Sequence, residues 1–358
     1  MSIQIPAHQA PPPDTTNAFD GLRCLLAVFV LYSHTYFLGG YGAEPFSVWT
    51  KSQAILGEFS VLGFFGLSGY LVTASYTRSR GLLDYLVKRL RRVVPGLWVC
   101  LVVTAFALAP AIYYLRTGSL TAFPWIDGDQ NALTFVTANL AIKVQQFTVS
   151  GVLAGGPYEG SLNGSLWSLW PEILCYLVLG ALGLAGALDH NRPLLIVFIA
   201  SLFTFHAARI LLPDLTPPTL PTWVVLVDRV RYFLTFFVGA TLWIWRRHFQ
   251  PNWVATGLLL VALAALARLG GLQLLAPVFV PLALVQLGLC GTFRLHADVS
   301  YGLYIYGFPV QQLLAATALV RLPWFIFLTA SLASTFVLAW LSWHFVERPF
   351  LRRRTSAL

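Results

Sequence analysis

The sequence predicts an all-α fold, a polytopic bundle of about ten transmembrane helices, and three observations carry that prediction. Only 10% of the 358 residues are charged, against roughly 25% in soluble domains. Apolar residues make up 57% of the chain, and its mean hydropathy is +0.71. The apolar residues fall in runs of the length that crosses a bilayer, about 20 residues each. A water-soluble domain of this size needs a polar skin that the composition cannot supply. The net charge of +9 therefore reads as basic loops facing anionic lipid, and no nucleic-acid partner is expected.

Taken in order, the candidate spans lie near 19–38, 56–75, 95–115, 166–188, 194–212, 230–245, 253–269, 272–293, 299–319 and 324–345. Residues 1–18 read as a cytoplasmic tail, with Pro11, Pro12 and Pro13 keeping it extended and no cleavable signal pattern. The third span opens at Pro95, a residue suited to the first helical position. Gly270 and Gly271 provide the break between the seventh and eighth spans. The longest connection, 116–165, carries a helical patch near 131–147 and reads as a lid or re-entrant element. Residues 19–350 then form one membrane domain, followed by a basic cytoplasmic tail, 351–358.

Orientation follows from the distribution of Lys and Arg. With the N-terminus inside, fourteen of the 23 fall in cytoplasmic loops and seven in outer loops. That bias, together with an even number of spans, places both termini in the cytoplasm of an inner-membrane protein. Cys24, Cys100, Cys175 and Cys290 all lie in apolar runs without metal-like spacing and read as packing residues. No metal site is expected.

Ionisable groups inside a membrane are costly and mark candidate sites. Arg23 and His34 are eleven residues apart on the first span, about three helical turns and roughly 16 Å, so they share one face. That distance matches the reach of a pantetheine-like arm between a phosphate and a thioester. Lys88, Arg89, Arg91 and Arg92 form a basic cluster in which Arg89 and Arg92 share a face. Two readings stand for it: a topology determinant, or a planar-fork site for phosphate. Glu172 follows Pro171 in the fourth span and needs a partner in the bundle: a structural arginine, an imidazole it orients, or substrate hydroxyls. Asn163, Ser165, Trp167 and Ser168 stand at the outer entry of that span, where tryptophan fits both sugar stacking and the interfacial belt. Glu58 reads as interfacial, His206 and Arg209 as interfacial or lining a cleft, and Asp228, Arg229 and Arg231 as a solvated cluster. His344 and Glu347 read as structural, with Glu347 pairing to Arg348.

Six segments, in order, carry a resemblance: LRCLLAVFVLYSH (22–34), FFGLSGYLV (64–72), YLVKRLRRVVP (85–95), NGSLWSLWPEILCY (163–176), DVSYGLYIYGFPVQQ (298–312) and FVERPF (345–350). Together they resemble the acyltransferase family 3 proteins, integral membrane O-acyltransferases, with an Arg-x10-His signature at Arg23 and His34 and an Arg-x-x-Arg signature at Arg89 and Arg92. Gly307 departs from the pattern, since many relatives carry histidine there, and Cys24 stands where glycine is usual. The resemblance implies an enzyme that transfers an acyl group, acetyl from acetyl-CoA, to a hydroxyl of a cell-surface carbohydrate or lipid-linked glycan. It implies His34 as general base or as a transient acyl carrier, with Glu172 orienting it. By the same token Arg23, Arg89 and Arg92 bind donor phosphates, and Asn163, Ser165, Trp167 and Ser168 bind acceptor. The competing class is a transporter or flippase of a lipid-linked sugar, but the paired broken helices of two similar halves are not found.

Overall fold

The computed structural model describes residues 17–213, 229–293 and 297–352. The tail expectations for 1–16 and 353–358, and the readings of Asp228 and Arg294, lie outside the described residues. Among the described residues the regular structure is helical throughout: α1 (Phe19–Leu38), α2 (Pro45–Trp49), α3 (Leu56–Thr77), α4 (Leu82–Val103), α5 (Ala109–Thr117), α6 (Ala132–Asn139) and α7 (Leu169–Leu184). There follow α8 (Arg192–Leu211), α9 (Val230–Ile244), α10 (Trp253–Leu269), α11 (Leu272–Cys290), α12 (Ser300–Ala315), α13 (Trp324–Ser342) and α14 (Arg348–Arg352). Seven helical stretches are long and apolar enough to cross a membrane, and α9 and α10 are shorter apolar helices. With α12, each of the ten expected spans coincides with a helix.

One boundary differs. Pro95 does not open the third span but lies inside α4. A π-helical turn, Thr104–Leu108, joins α4 to α5, so the stretch Leu82–Thr117 is helical over 36 residues. At 1.5 Å per residue that is about 54 Å, against a hydrocarbon core of about 30 Å. The basic turn 88–92 therefore rides on an extension of the span and not on a loop before it. Within 116–165 the helical patch is shorter than expected. Asn131 caps α6 in a reciprocal capping box with Thr134, and Gly270 and Gly271 break the chain between α10 and α11 with φ of 114° and 93°.

The chain divides into two compact units: 1–26, 46–87 and 171–295 form the first, and 27–45, 88–170 and 296–358 the second. In the first, α3 packs on α9 and α11. The contact is close because glycines face each other: a Cβ on Gly69 would overlap the Phe236 carbonyl, and one on Gly239 the Gly66 carbonyl. Small residues allow such backbone approach where lipid gives no hydrophobic drive to association. Phe19, Tyr70 and Trp243 fill the adjacent core. In the second unit α12 is the hub, buried along almost its whole length and packed on α13.

Candidate active site

In the second unit the His34 ring is held between two aromatic edges, with centroids 5.2 Å from Phe37 and 5.0 Å from Phe308. Tyr158 completes the wall, 5.3 Å from Phe37 and 6.0 Å from Phe308. His34 Nδ1 is buried and has no hydrogen-bond partner. A buried ring nitrogen without a partner is uncommon enough to require a reason, and a reacting group is one.

Helix α12 brings the other pieces to this imidazole. Gln311, fully buried, donates from Nε2 to the Leu31 carbonyl at 2.9 Å, one turn before His34, and to Oγ1 of the adjoining Thr35 at 3.1 Å. Gln312 donates to the carbonyls of Ser161 and Tyr158 at 2.7 and 3.1 Å. Asn163 Nδ2 donates to the Ile305 carbonyl at 2.9 Å, and Ser168 shares a 2.6 Å hydrogen bond with the Tyr304 hydroxyl. Gly164 has no room for a Cβ beside the Phe308 ring. Ile305, Phe308 and Gln312 recur at helical spacing, so one face of α12 seats the 158–164 segment and the His34 wall together. Asn163 Oδ1 and Ser165 Oγ are buried without partners. Thus the expected acceptor residues Asn163, Ser165 and Ser168 gather on the helix that carries Phe308, while Trp167 is only partly buried. Gly307 packs against Leu31, whose side chain a Cβ would meet. A histidine at this position would have to displace the fully buried Leu31 side chain.

Two expected site residues belong to the first unit. Glu172 accepts hydrogen bonds from Ser68 Oγ at 2.8 Å and from the Tyr176 hydroxyl at 2.5 Å. Arg23 stands on the first two turns of α1, a helix that supplies residues to both units. Also in the first unit, Glu58 pairs with Arg231 at 3.2 Å with both side chains partly exposed. His206 is buried and shares a hydrogen bond of 3.1 Å with the Gln273 carbonyl, as a packed histidine does.

Within the basic cluster, Arg92 is ion-paired to two carboxylates. Arg92 sends one guanidinium nitrogen to Asp298 at 2.5 Å and the other to Glu347 at 3.4 Å. Glu347, expected to pair with the neighbouring Arg348, is thus held by an arginine 255 residues away. The cause is local: Trp343–Glu347 is a π turn, and its i→i+5 register brings Glu347 Oε1 within 3.0 Å of Ser342 Oγ and turns the carboxylate inward. No signal in the sequence marks Asp298, Phe308, Tyr158, Gln311 or Gln312 individually, though all but Tyr158 fall in the resembling segment 298–312.

Known proteins match the chain along nearly its whole length. A family model described as an acyltransferase domain matches residues 16–344. An O-acetyl transferase of Shigella phage Sf6 is 27% identical over 354 residues, covering 96% of this chain and 98% of the relative. Nodulation protein 10 of Rhizobium leguminosarum bv. viciae is 28% identical over 368 residues, covering 95% and 94%. No solved structure matches. A match over nearly the whole membrane domain makes this chain a member of acyltransferase family 3.

Proposed function

We propose that this membrane acyltransferase moves an acetyl group from cytoplasmic acetyl-CoA to a hydroxyl of a cell-surface carbohydrate or lipid-linked glycan. The observation that carries the reading is His34, a membrane-embedded imidazole with a buried, unpartnered Nδ1, walled by aromatic rings and adjoining a segment rich in hydroxyl and amide groups. The phage relative named as an O-acetyl transferase supports the acetyl group.

In this reading neutral His34 takes the proton of the acceptor hydroxyl as its oxygen bonds to the thioester carbon. The carbon–sulfur bond breaks, and the sulfur leaves with the electron pair and takes the proton back from the imidazolium. Acetyl ester and coenzyme A are the products. Asn163 Oδ1 and Ser165 Oγ suit an acceptor that donates hydroxyl protons, and Phe308 and Tyr158 keep bulk water from the thioester. Arg23 and Arg89 take the donor phosphates, for which the guanidinium fork is suited. Glu172, engaged by two hydroxyls, is a site for a substrate hydroxyl or for tuning the bundle. Both termini lie in the cytoplasm and the protein in the inner membrane, following the basic-loop bias.

The experiment is one of sidedness. Oriented proteoliposomes carry acetyl-CoA sealed at the face of the basic cluster, with glycan from a strain lacking the gene on the opposite face. Mass spectrometry is expected to detect acetylated glycan there and none when the donor is supplied only with the glycan. Product that forms only when both substrates share the basic face would defeat the through-membrane arrangement. No product in any arrangement would defeat the acetyl-transfer reading itself.

A further inference from the structure

The second arginine of the Arg-x-x-Arg signature, Arg92 on α4, sits in a dense polar junction. Both terminal nitrogens of Arg92 are committed, one to Asp298 just before α12 and one to Glu347 just after α13. Each carboxylate is braced in turn: Ser300 Oγ donates to Asp298 Oδ1 at 2.5 Å and Ser342 Oγ to Glu347 Oε1 at 3.0 Å. The guanidinium carbon lies 5.8 Å from the ring centroids of both Tyr301 and Trp343. Tyr301 also donates its hydroxyl to the Val93 carbonyl at 2.7 Å. Gly96, one turn beyond Arg92, leaves the gap that receives the Tyr301 ring and the Glu347 stem, since its Cβ would lie 2.7 Å from Tyr301 Cε1. Glu347 itself is 1% exposed. This is a built junction at which one guanidinium ties three helices.

A phosphate approaching Arg92 would have to displace two carboxylates of its own sign. The same junction fixes the start of α12, the helix whose Phe308 and Gln311 hold His34. We propose that Arg92, Asp298 and Glu347 are positioning residues that set α12, and through it the His34 imidazole, for transfer, and that Arg92 is not a donor ligand. The role of His34 rests on the acetyl-CoA reading given above; the junction is tested separately from it.

The test uses the full-length protein purified in detergent, with acetyl-CoA as titrant and glycan from the gene-deficient strain as acceptor. Glu347→Gln and Asp298→Asn, which keep side-chain shape, are expected to lower kcat while the acetyl-CoA affinity stays within about twofold of wild type. Arg92→Lys, able to hold one carboxylate, retains part of kcat at wild-type donor affinity. The double variant Arg92→Ala/Glu347→Gln is expected to melt no lower than Arg92→Ala alone, because the two residues form one unit. A donor-ligand role for Arg92 gives the opposite signs: freeing the guanidinium by Glu347→Gln would tighten acetyl-CoA, and Arg92→Ala would weaken it at an unchanged melting midpoint. Either result overturns the positioning role of Arg92, as does additive melting in the double variant. Failure of the wild-type protein to bind acetyl-CoA would strike the donor reading instead, and the melting cycle would still decide the junction.

Discussion

His34→Ala is expected to abolish acetyl transfer while leaving the protein inserted and folded. The two effects separate because their magnitudes differ. The imidazole contributes two edge-to-face contacts, with Phe37 and Phe308, each about 0.5–1.5 kcal/mol, and its Nδ1 makes no hydrogen bond that would be lost. Loss of a positioned general base costs about 10²–10⁴ in rate, or about 3–5 kcal/mol in the barrier. The measurement is the acetyl content of surface glycan and the turnover of purified protein, set beside the thermal midpoint in detergent. A variant that acetylates glycan at the wild-type rate would remove His34 from the chemistry. One that loses activity only in proportion to folded protein would make it a packing residue.

The positions of the spans were legible because lipid imposes one rule on the whole chain, a run of apolar residues long enough to cross. The shared helix of Arg23 and His34 was legible for the same reason, since the helical period is fixed. What the sequence concealed lies in the departures from regular helix. Pro95 read as a helix start because proline lacks the amide that an interior turn needs, but α4 runs through it, as α11 runs through Pro277 and Pro281. Neighbouring packing and local adjustment absorb such breaks inside a bundle. Glu347 read as a partner of Arg348 because they adjoin in sequence, although adjacent helical residues point about 100° apart. The π turn that aims Glu347 at Arg92 has no compositional signature. Asp298 and Arg92 are separated by 206 positions, and no local pattern announces a contact of that range. The tethers from Gln311 and Gln312 were hidden likewise: both residues were visible in the resembling segment 298–312, but all their partners except the Thr35 hydroxyl are backbone carbonyls, which every residue carries.

A second large effect is expected far from His34, at the α3–α9 contact. Gly239→Ala and Gly257→Ala add the same methyl group to two helices of the first unit, yet their effects should have opposite signs. On α10 a Cβ at Gly257 meets nothing within 4 Å. There alanine should stabilise by roughly 0.5–1 kcal/mol, because glycine loses more backbone freedom on helix formation. At Gly239 the new Cβ falls on the Gly66 carbonyl, and the reciprocal Gly69 position faces the Phe236 carbonyl. Backbone on both sides cannot swing aside as a side-chain end can, so the helices must separate along their crossing and lose contacts at every level of it. Overpacking in a core costs about 1–3 kcal/mol when side chains can adjust; here the upper end or more is expected for Ala, and no recoverable folded protein for Gly239→Val. Thermal midpoints of the purified alanine variants in one detergent, with folded yield for valine, make the comparison. A Gly239→Ala protein as stable as Gly257→Ala would show that the α3–α9 contact is looser than the glycines imply. It would also remove close backbone approach as the reason for glycine at 69 and 239.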